Sequence, residues 1–245
     1  MLEQLNLSQV NTYHLLVLPA MAFSGFISMM FRTTLKKFSG VSVQNGLTGR
    51  DTAAKMLQMN NINDVPIKQV AGTWSDHYGR SKGTKGAPES KWIGLSDPVF
   101  AKSTISAVAV AAHEAGHAIQ YATKYKLMTV RNFIRPLSNF GSRIGPYLAM
   151  AGLSGLIGEH SGLLLDIGIF LFAGAVLFSL LTLPAELNAS SRALAILRDN
   201  NMLTKDELKG AKKALNAAAM TYFAGLLTNC ASFLRLLLLR NRRRR

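Results

Sequence analysis

The sequence contains little cysteine and few acidic residues. Cys230 is the only cysteine among 245 residues, which excludes an intrachain disulfide and a zinc site built on paired cysteines. Asp and Glu together number 13, against 28 Lys and Arg, so the formal net charge is +15. Any protein ligands for a metal ion must therefore be histidines or some of these few carboxylates.

A platform for stacking nucleic-acid bases is also missing. The pI near 10.3 raises nucleic acid as a partner, but no stretch interleaves aromatic and basic residues. In membrane proteins, Lys and Arg mark cytoplasmic loops and contact anionic lipid. We therefore expect the lipid bilayer, and not nucleic acid, to be the partner of these residues. Nucleic-acid binding through the final RNRRRR would show a steep dependence on salt.

Apolar and charged residues are segregated along the chain. Hydrophobic residues make up 49% and charged residues 17%, with a mean hydropathy of +0.17. Residues 13–31 are long enough to span a membrane, and Arg32, Lys36 and Lys37 follow directly. A basic flank after the apolar run does not fit a signal peptide. The positive-inside rule places the chain from residue 32 onward in the cytoplasm.

Further apolar runs follow in the second half of the chain. Gly145–Gly158 and Leu163–Leu183 predict a membrane hairpin, with Glu159–Ser161 as a tight turn on the outer side. Ala217–Leu239 is the last run. Its orientation stays open, because four spans would place the terminal arginines outside, against the positive-inside rule.

The polar regions between these runs predict short helices and strands. A helix is expected from Thr48 to Asn60, and a loop over Gly79–Ser90. Pro184 is expected to begin a new amphipathic helix, and Thr204 with Glu207 has capping-box spacing at the start of another. The candidate strands are Ile67–Val70, Trp74–Tyr78 and Lys91–Ser96.

The strongest predicted helix, 101–122, carries His113-Glu114-Ala115-Gly116-His117, which matches HExxH. Two histidines four residues apart lie on one helical face and can bind one Zn²⁺. Glu114 can then act as general base toward the water on the metal. HExxH alone also occurs by chance, but here the ionisable groups lie in an Ala/Val-rich run where burial requires them to be paired. The sequence thus predicts a metal site.

A catalytic zinc site needs a third protein ligand. No third histidine follows at metzincin spacing, and the other downstream carboxylates lie at the hairpin tip or in polar, surface-like sequence; these are Glu159, Asp166, Asp199, Asp206 and Glu207. Glu186 follows the long apolar run at the same predicted cytoplasmic level as the motif, and we favour it. Alternatively, Glu186 only places a negative charge at a helix N-terminus, where it complements the helix dipole.

Several stretches resemble the YugP-like neutral zinc metallopeptidases of bacteria. They are GLTGRDTAAKML, SDHY, GLSDPVFAKSTISAVAVAAHEAGHAIQ, LDIGIFLF, LPAELNASSRAL and LTKDELKGAKKAL, and together they cover nearly the whole chain in order. The resemblance implies a bacterial inner-membrane metallopeptidase and does not imply a physiological substrate.

A wider resemblance links the chain to the HtpX-like membrane peptidases. Their E-x-x-A-D helix supplies the third zinc ligand, and Glu186-Leu187-Asn188-Ala189-Ser190 is similar to it. Ser190 stands in place of the Asp, so Asn188 or Ser190 is expected to hydrogen-bond a ligating histidine. Lys91–Ser96 is similarly placed to the edge strand that binds extended substrate in such peptidases.

His77 and Tyr78 are further candidates, as donors to the oxyanion of the transition state. Alternatively, His77 and Tyr78 have only a structural role in a loop.

These observations predict a mainly α membrane protein with a zincin-like catalytic unit, a small β element and about three to four membrane helices. The expected activity is a zinc-dependent endopeptidase of HExxH…Glu type, with one Zn²⁺ per chain, a polypeptide substrate and an active site on the cytoplasmic side of the inner membrane. A site-2-type intramembrane protease, with Asp166 as third ligand, and a non-catalytic metal-binding scaffold are the alternatives. The expected regions are 1–32 (membrane helix), 33–143 (zincin-like region), 144–183 (membrane hairpin), 184–218 (helices with Glu186) and 219–245 (apolar helix and polybasic tail).

Overall fold

A computed structural model describes residues 7–81, 83, 89–155 and 158–243. Within these residues the chain is mainly helical, with seven α-helices, a 3₁₀ turn at Gly158–His160 and three short strands. Most of the predicted loop after Ser81 and the last two arginines of the tail lie outside the described residues. In chain order the elements are α1 (Leu7–Ser39), α2 (Gly49–Met59), β1 (Ile67–Val70), β2 (His77–Ser81), β3 (Ser90–Ser96), α3 (Asp97–Phe100), α4 (Ile105–Ala122), α5 (Lys126–Ser154), α6 (Ser161–Asp199) and α7 (Lys205–Arg243).

The chain divides into two compact units, and helices α1, α5, α6 and α7 each contribute to both. The helical unit comprises Met1–Ser28, Thr129–Pro184 and Met220–Arg245. The mixed unit comprises Met29–Met128 and Ala185–Ala219, and it contains the strands.

Three helical stretches are long and apolar enough to cross a membrane. They are Leu15–Ser39, Gly158–Asp199 and Lys205–Arg242. The predicted spans at 13–31 and 163–183 fall largely in the first two, and the last apolar run falls in the third. The first arm of the predicted hairpin lies mostly in α5, which is not among the candidate spans of the described residues.

In the helical unit, α5 and α6 form an antiparallel pair held close by glycines. A Cβ added at Gly141 would collide with the backbone of Leu171, and one added at Gly152 would collide with Leu165. Helix α7 joins α6 through a hydrogen bond from Asn229 Nδ2 to Ser179 Oγ, at 2.7 Å. Small residues thus let these backbones approach closely, as is common between membrane helices.

Two predicted helix boundaries were wrong. Pro184 does not begin a new helix, because α6 continues through it from Ser161 to Asp199. An internal proline removes one backbone hydrogen bond, and packed apolar helices tolerate that loss. The two segments expected after Thr204 are likewise one helix, α7, which starts at the predicted capping box: Thr204 N–H donates to Glu207 Oε2 at 2.7 Å.

The mixed unit contains a three-stranded sheet in the order β1-β3-β2, with β1 parallel and β2 antiparallel to β3. Strand β1 was predicted with its observed bounds, and β3 within one residue. Strand β2 begins at His77 and not at Trp74, because Trp74 has a φ of 66° and cannot continue a strand. The predicted loop from Gly79 was also wrong at its start, since Gly79 pairs with Trp92.

The expectation that Lys91–Ser96 forms an edge strand was wrong. This segment belongs to β3, which is the central strand with a partner on each side. Its hydrogen-bonding edges are therefore already occupied along most of its length, and β3 cannot accept an additional strand there.

Helices α2 and α4 form the core of the mixed unit. Helix α2 was predicted from Thr48, and Thr48 is its N-cap, where it forms a capping box with Asp51. Helix α4 begins at Ile105, later than predicted, because the Thr104 side chain accepts from the Ala107 N–H and caps it there. Most of α4 is buried, and it packs in one cluster with apolar side chains that include Met56 and Leu95.

Candidate metal centre

Helix α4 places the two histidines of the HExxH motif side by side. His113 and His117 are separated by one helical turn, and their ring centroids lie 4.7 Å apart. The side chain of His117 is buried and that of His113 is half-buried. Both imidazoles therefore face the interior of the mixed unit, as predicted from the apolar sequence around them.

Helix α6 brings Glu186 to both rings. One carboxylate oxygen, Oε2, lies 3.1 Å from His113 Nε2 and 3.2 Å from His117 Nε2. Glu186 is only 2% exposed. Gly116 allows this approach, because a Cβ there would lie 2.6 Å from the Ala189 carbonyl oxygen on α6.

The spacing of these three side chains fits a metal ion. Among the described residues, they are the group of His, Cys, Asp or Glu whose potential ligand atoms converge, all within 4.8 Å of one another. Two ligands at about 2.0–2.1 Å from a tetrahedral zinc ion lie about 3.3 Å apart. The observed separations of 3.1 and 3.2 Å are close to this value.

The chemistry of the donor set leads to the same conclusion. A carboxylate can only accept hydrogen bonds, and a neutral imidazole presents a lone pair on one nitrogen. Lone pairs that converge in a buried site need a proton or a metal cation between them. Two histidine nitrogens and one carboxylate oxygen are a common ligand set for zinc.

Each histidine is held from its other ring nitrogen. His113 Nδ1 lies 3.0 Å from Ser190 Oγ, and His117 Nδ1 lies 3.0 Å from Gln120 Oε1. Asn188 contacts Gln120 and neither ring directly, with its Oδ1 accepting from Gln120 Nε2 at 3.0 Å. Such contacts orient metal-ligating histidines. The interaction of Gln120 was not predicted from the sequence, although its position three residues after His117 on a buried helix face was the available signal.

Glu114 lies between the two histidines in the same helix and is 8% exposed. Protonation of His117 would compete with metal binding, because a histidine binds a metal ion only through an unprotonated ring nitrogen. Burial lowers the pKa of His117, but the hydrogen bond and negative charge of Glu186 outweigh it, so the pKa lies above the usual histidine value. Glu186 therefore favours the protonated form of His117 when no metal ion is bound.

The structure places His77 and Tyr78 at the start of β2. His77 Nδ1 lies 2.7 Å from the Ser75 carbonyl, and its Nε2 accepts from Trp92 Nε1 at 3.1 Å. Both ring nitrogens are thus engaged in local contacts. The Tyr78 hydroxyl is buried, has no hydrogen-bond partner among the described residues, and burial raises its pKa. Their role as oxyanion donors stays a prediction.

Asp166, the alternative third ligand, lies in the helical unit. Its carboxylate accepts from Arg240 Nε at 2.5 Å and from Arg240 Nη2 at 2.9 Å. It does not belong to the group of converging ligands in the described chain. Three of the other rival carboxylates also have other contacts: Asp199 pairs with Arg198, Asp206 with Lys209, and Glu207 caps α7.

Comparison with known proteins identifies the family of this chain. The sequence profile of a family described as "Putative neutral zinc metallopeptidase" matches residues 13–241. The chain belongs to this family. It is 37% identical over 224 residues to the "Putative membrane protease YugP" of Bacillus subtilis (strain 168), covering 91% of this chain and 94% of that protein. No solved structure matches this chain.

Membership confirms the resemblance to YugP-like peptidases and makes zinc the metal that the family implies. The relative is named as a membrane protease. Together with the three candidate spans, this supports association of the chain with a membrane.

Proposed function

We propose that this family member is a membrane-bound zinc endopeptidase with Glu114 as its general base. His113, His117 and Glu186 are the proposed ligands of one zinc ion. The observation that carries the proposal is the position of Glu186 Oε2, which faces both histidine Nε2 atoms from a separate helix. Membership in a zinc metallopeptidase family supports the ion and the reaction class.

The proposed chemistry assigns a defined task to each residue. His113, His117 and Glu186 would hold the zinc ion, which when bound would supply Lewis-acid chemistry and would lower the pKa of a bound water to about 7. Glu114 takes a proton from the attacking water and delivers a proton to the leaving amine. Glu114 is buried beside His113, and charges interact more strongly away from bulk water. The Glu114 carboxylate therefore interacts more strongly with the proton that it transfers.

We also propose that the site works at the cytoplasmic face of a bacterial inner membrane, on polypeptides that include membrane proteins. Arg32, Lys36 and Lys37 follow the apolar part of the first candidate span, which favours the cytoplasmic side for the chain after it. Glu186 follows the apolar run of the second candidate span by only a few residues.

Two alternatives are less well supported. A site-2-type intramembrane protease requires Asp166 as a ligand, yet both Asp166 carboxylate oxygens accept from Arg240. A metal-binding scaffold without activity has no need of a carboxylate directly after the first ligating histidine. Glu114 therefore favours an enzyme.

The test is hydrolysis of an unfolded protein substrate by the purified full-length chain and its Glu114→Gln variant. We expect the variant to keep one zinc ion per chain and to lose activity by at least about 100-fold, because the general base is gone. A variant that retains zinc and hydrolyses the substrate at the original rate would support the scaffold. Asp51→Asn, on an exposed helix start of the mixed unit, is the matched control and should stay active.

A further inference from the structure

Gln120 is a fully buried amide that links the two helices of the candidate site. It is 0% exposed. Its Nε2 donates to the Ala185 carbonyl at 2.8 Å and to Asn188 Oδ1 at 3.0 Å. Its Oε1 lies 3.0 Å from His117 Nδ1. Gln120 therefore connects His117 on α4 with the turn of α6 that carries Glu186.

Arg192 determines the direction of these hydrogen bonds. A guanidinium can only donate, so the Asn188 atom that lies 2.9 Å from Arg192 Nε must be the oxygen Oδ1. That same oxygen can only accept from Gln120. The Ala185 carbonyl is also only an acceptor. Two independent acceptors thus orient the NH₂ group of Gln120 toward α6.

The remaining amide atom of Gln120, Oε1, then faces His117. Since a carbonyl oxygen accepts, His117 Nδ1 must be the donor in this hydrogen bond. The neutral ring consequently carries no hydrogen on Nε2, and its lone pair faces Glu186 Oε2 at 3.2 Å. This is the tautomer that binds a metal through Nε2.

We propose that Gln120, oriented by Asn188 and Arg192, is a positioning residue that fixes His117 in its metal-binding tautomer. The inference rests on the zinc site of the proposed function and assigns a further residue to it. The two histidines differ in the partner of Nδ1. The partner of His113 is the Ser190 hydroxyl, which can donate or accept and therefore imposes no tautomer.

The first experiment measures zinc affinity of the full-length protein by competition with a chromophoric chelator. Gln120→Met keeps the size of the side chain and removes both hydrogen-bonding functions. We expect zinc to bind about 10- to 100-fold more weakly, with a changed visible spectrum of the Co²⁺-substituted site because the His117 ring is no longer held. Gln58→Met, at an exposed position of α2, is the matched control and should bind zinc like the unsubstituted protein.

A second pair of variants tests the orienting role of Asn188. Asn188→Asp keeps an acceptor for both Gln120 and Arg192, whereas Asn188→Leu removes it. We expect the Asp variant to bind zinc nearly as well as the unsubstituted protein and the Leu variant to bind it more weakly. This pair also provides the test if Gln120→Met does not fold.

The outcomes separate this inference from the proposed function. Zinc binding by the unsubstituted protein with unchanged affinity and Co²⁺ spectrum in Gln120→Met would overturn the role of Gln120. Equal zinc affinity in the two Asn188 variants would overturn its orientation by Asn188. Absence of zinc binding in the unsubstituted protein would instead overturn the proposed function itself.

Discussion

Gly116 of helix α4 lies directly against the carbonyl group of Ala189 on helix α6, so that a Cβ on Gly116 would be 2.6 Å from that oxygen. Gly116 is the second variable position of the HExxH motif. Ala189 comes one helical turn after Glu186. The absence of a side chain at one motif position thus sets the distance between the helices that carry the histidines and the carboxylate.

Replacing Gly116 with Ala should weaken zinc binding. The added methyl group must push α6 away from α4, while metal–ligand distances tolerate only about 0.2 Å of change. We expect zinc affinity to fall at least about tenfold. Competition with a chelator measures this loss, and a thermal melt of the metal-free protein checks the fold.

Gly225→Ala in α7 is the control for this substitution. A Cβ at Gly225 meets nothing within 4 Å, and alanine favours a helix over glycine by up to about 1 kcal/mol. The control should therefore keep its zinc affinity. A Gly116→Ala protein that binds zinc as tightly as the Gly225→Ala protein would contradict the role of the close helix contact.

The identity of the third ligand can be tested by replacing each candidate carboxylate. Glu186→Gln should lose zinc, because an amide is a poor ligand and its NH₂ group would face the histidines. Asp166→Asn should retain zinc, although loss of its ion pair with Arg240 should lower the melting temperature of the protein. Zinc content per chain decides between them: zinc lost only in Asp166→Asn would favour the site-2-type reading.

Local and distant parts of the site differ in how far the sequence predicts them. His113, Glu114 and His117 belong to one helix, so their spacing alone predicts their geometry. Glu186 lies 69 residues beyond His117, and it was favoured by exclusion of other carboxylates and by resemblance. The contacts of Gln120 with Ala185 and Asn188 on α6 were not predicted, because residues 65 and 68 positions apart form no local pattern.

The fold shows the same division between local and tertiary effects. The helix start at Thr204 was predicted because a capping box depends on residues three apart, and the helix that follows Thr48 was predicted from its apolar face. The continuation of α6 through Pro184 and the central position of β3 depend on packing and strand pairing, which local patterns do not encode. The local sequence therefore predicted the strand at Lys91–Ser96 correctly, whereas the resemblance predicted its place in the sheet wrongly.

Ser190 offers a smaller perturbation of the same site. Its hydroxyl lies 3.0 Å from His113 Nδ1, so Ser190→Ala should free the His113 ring and weaken zinc binding by about tenfold or less. Ser191→Ala, at the exposed neighbouring position of α6, is the matched control. Equal zinc affinities in the two variants would show that the Ser190 hydroxyl does not support the ligand.

Acidification should weaken zinc binding through His117. Glu186 raises the pKa of this imidazole above the usual 6.5 despite burial, and a protonated imidazole cannot bind a metal. Zinc affinity should therefore fall as the pH decreases through the raised pKa, by up to about tenfold per pH unit for each proton displaced. Chelator competition between about pH 8 and pH 6 measures the slope.

The contribution of His117 to the stability of the metal-free protein should change with pH in the direction opposite to zinc affinity. A group whose pKa is higher in the folded than in the unfolded chain stabilises the folded chain at pH values below its unfolded-state pKa. This stabilisation is lost as the pH rises through its folded-state pKa. Acidification to about pH 6 should thus raise the contribution of His117 to metal-free stability while it weakens zinc binding. Replacing Glu186 with Gln removes the negative charge that raises this pKa, so the metal-free variant should lose that part of its pH dependence. A metal-free variant whose melting temperature follows pH as in the unsubstituted protein would contradict the coupling of His117 to Glu186.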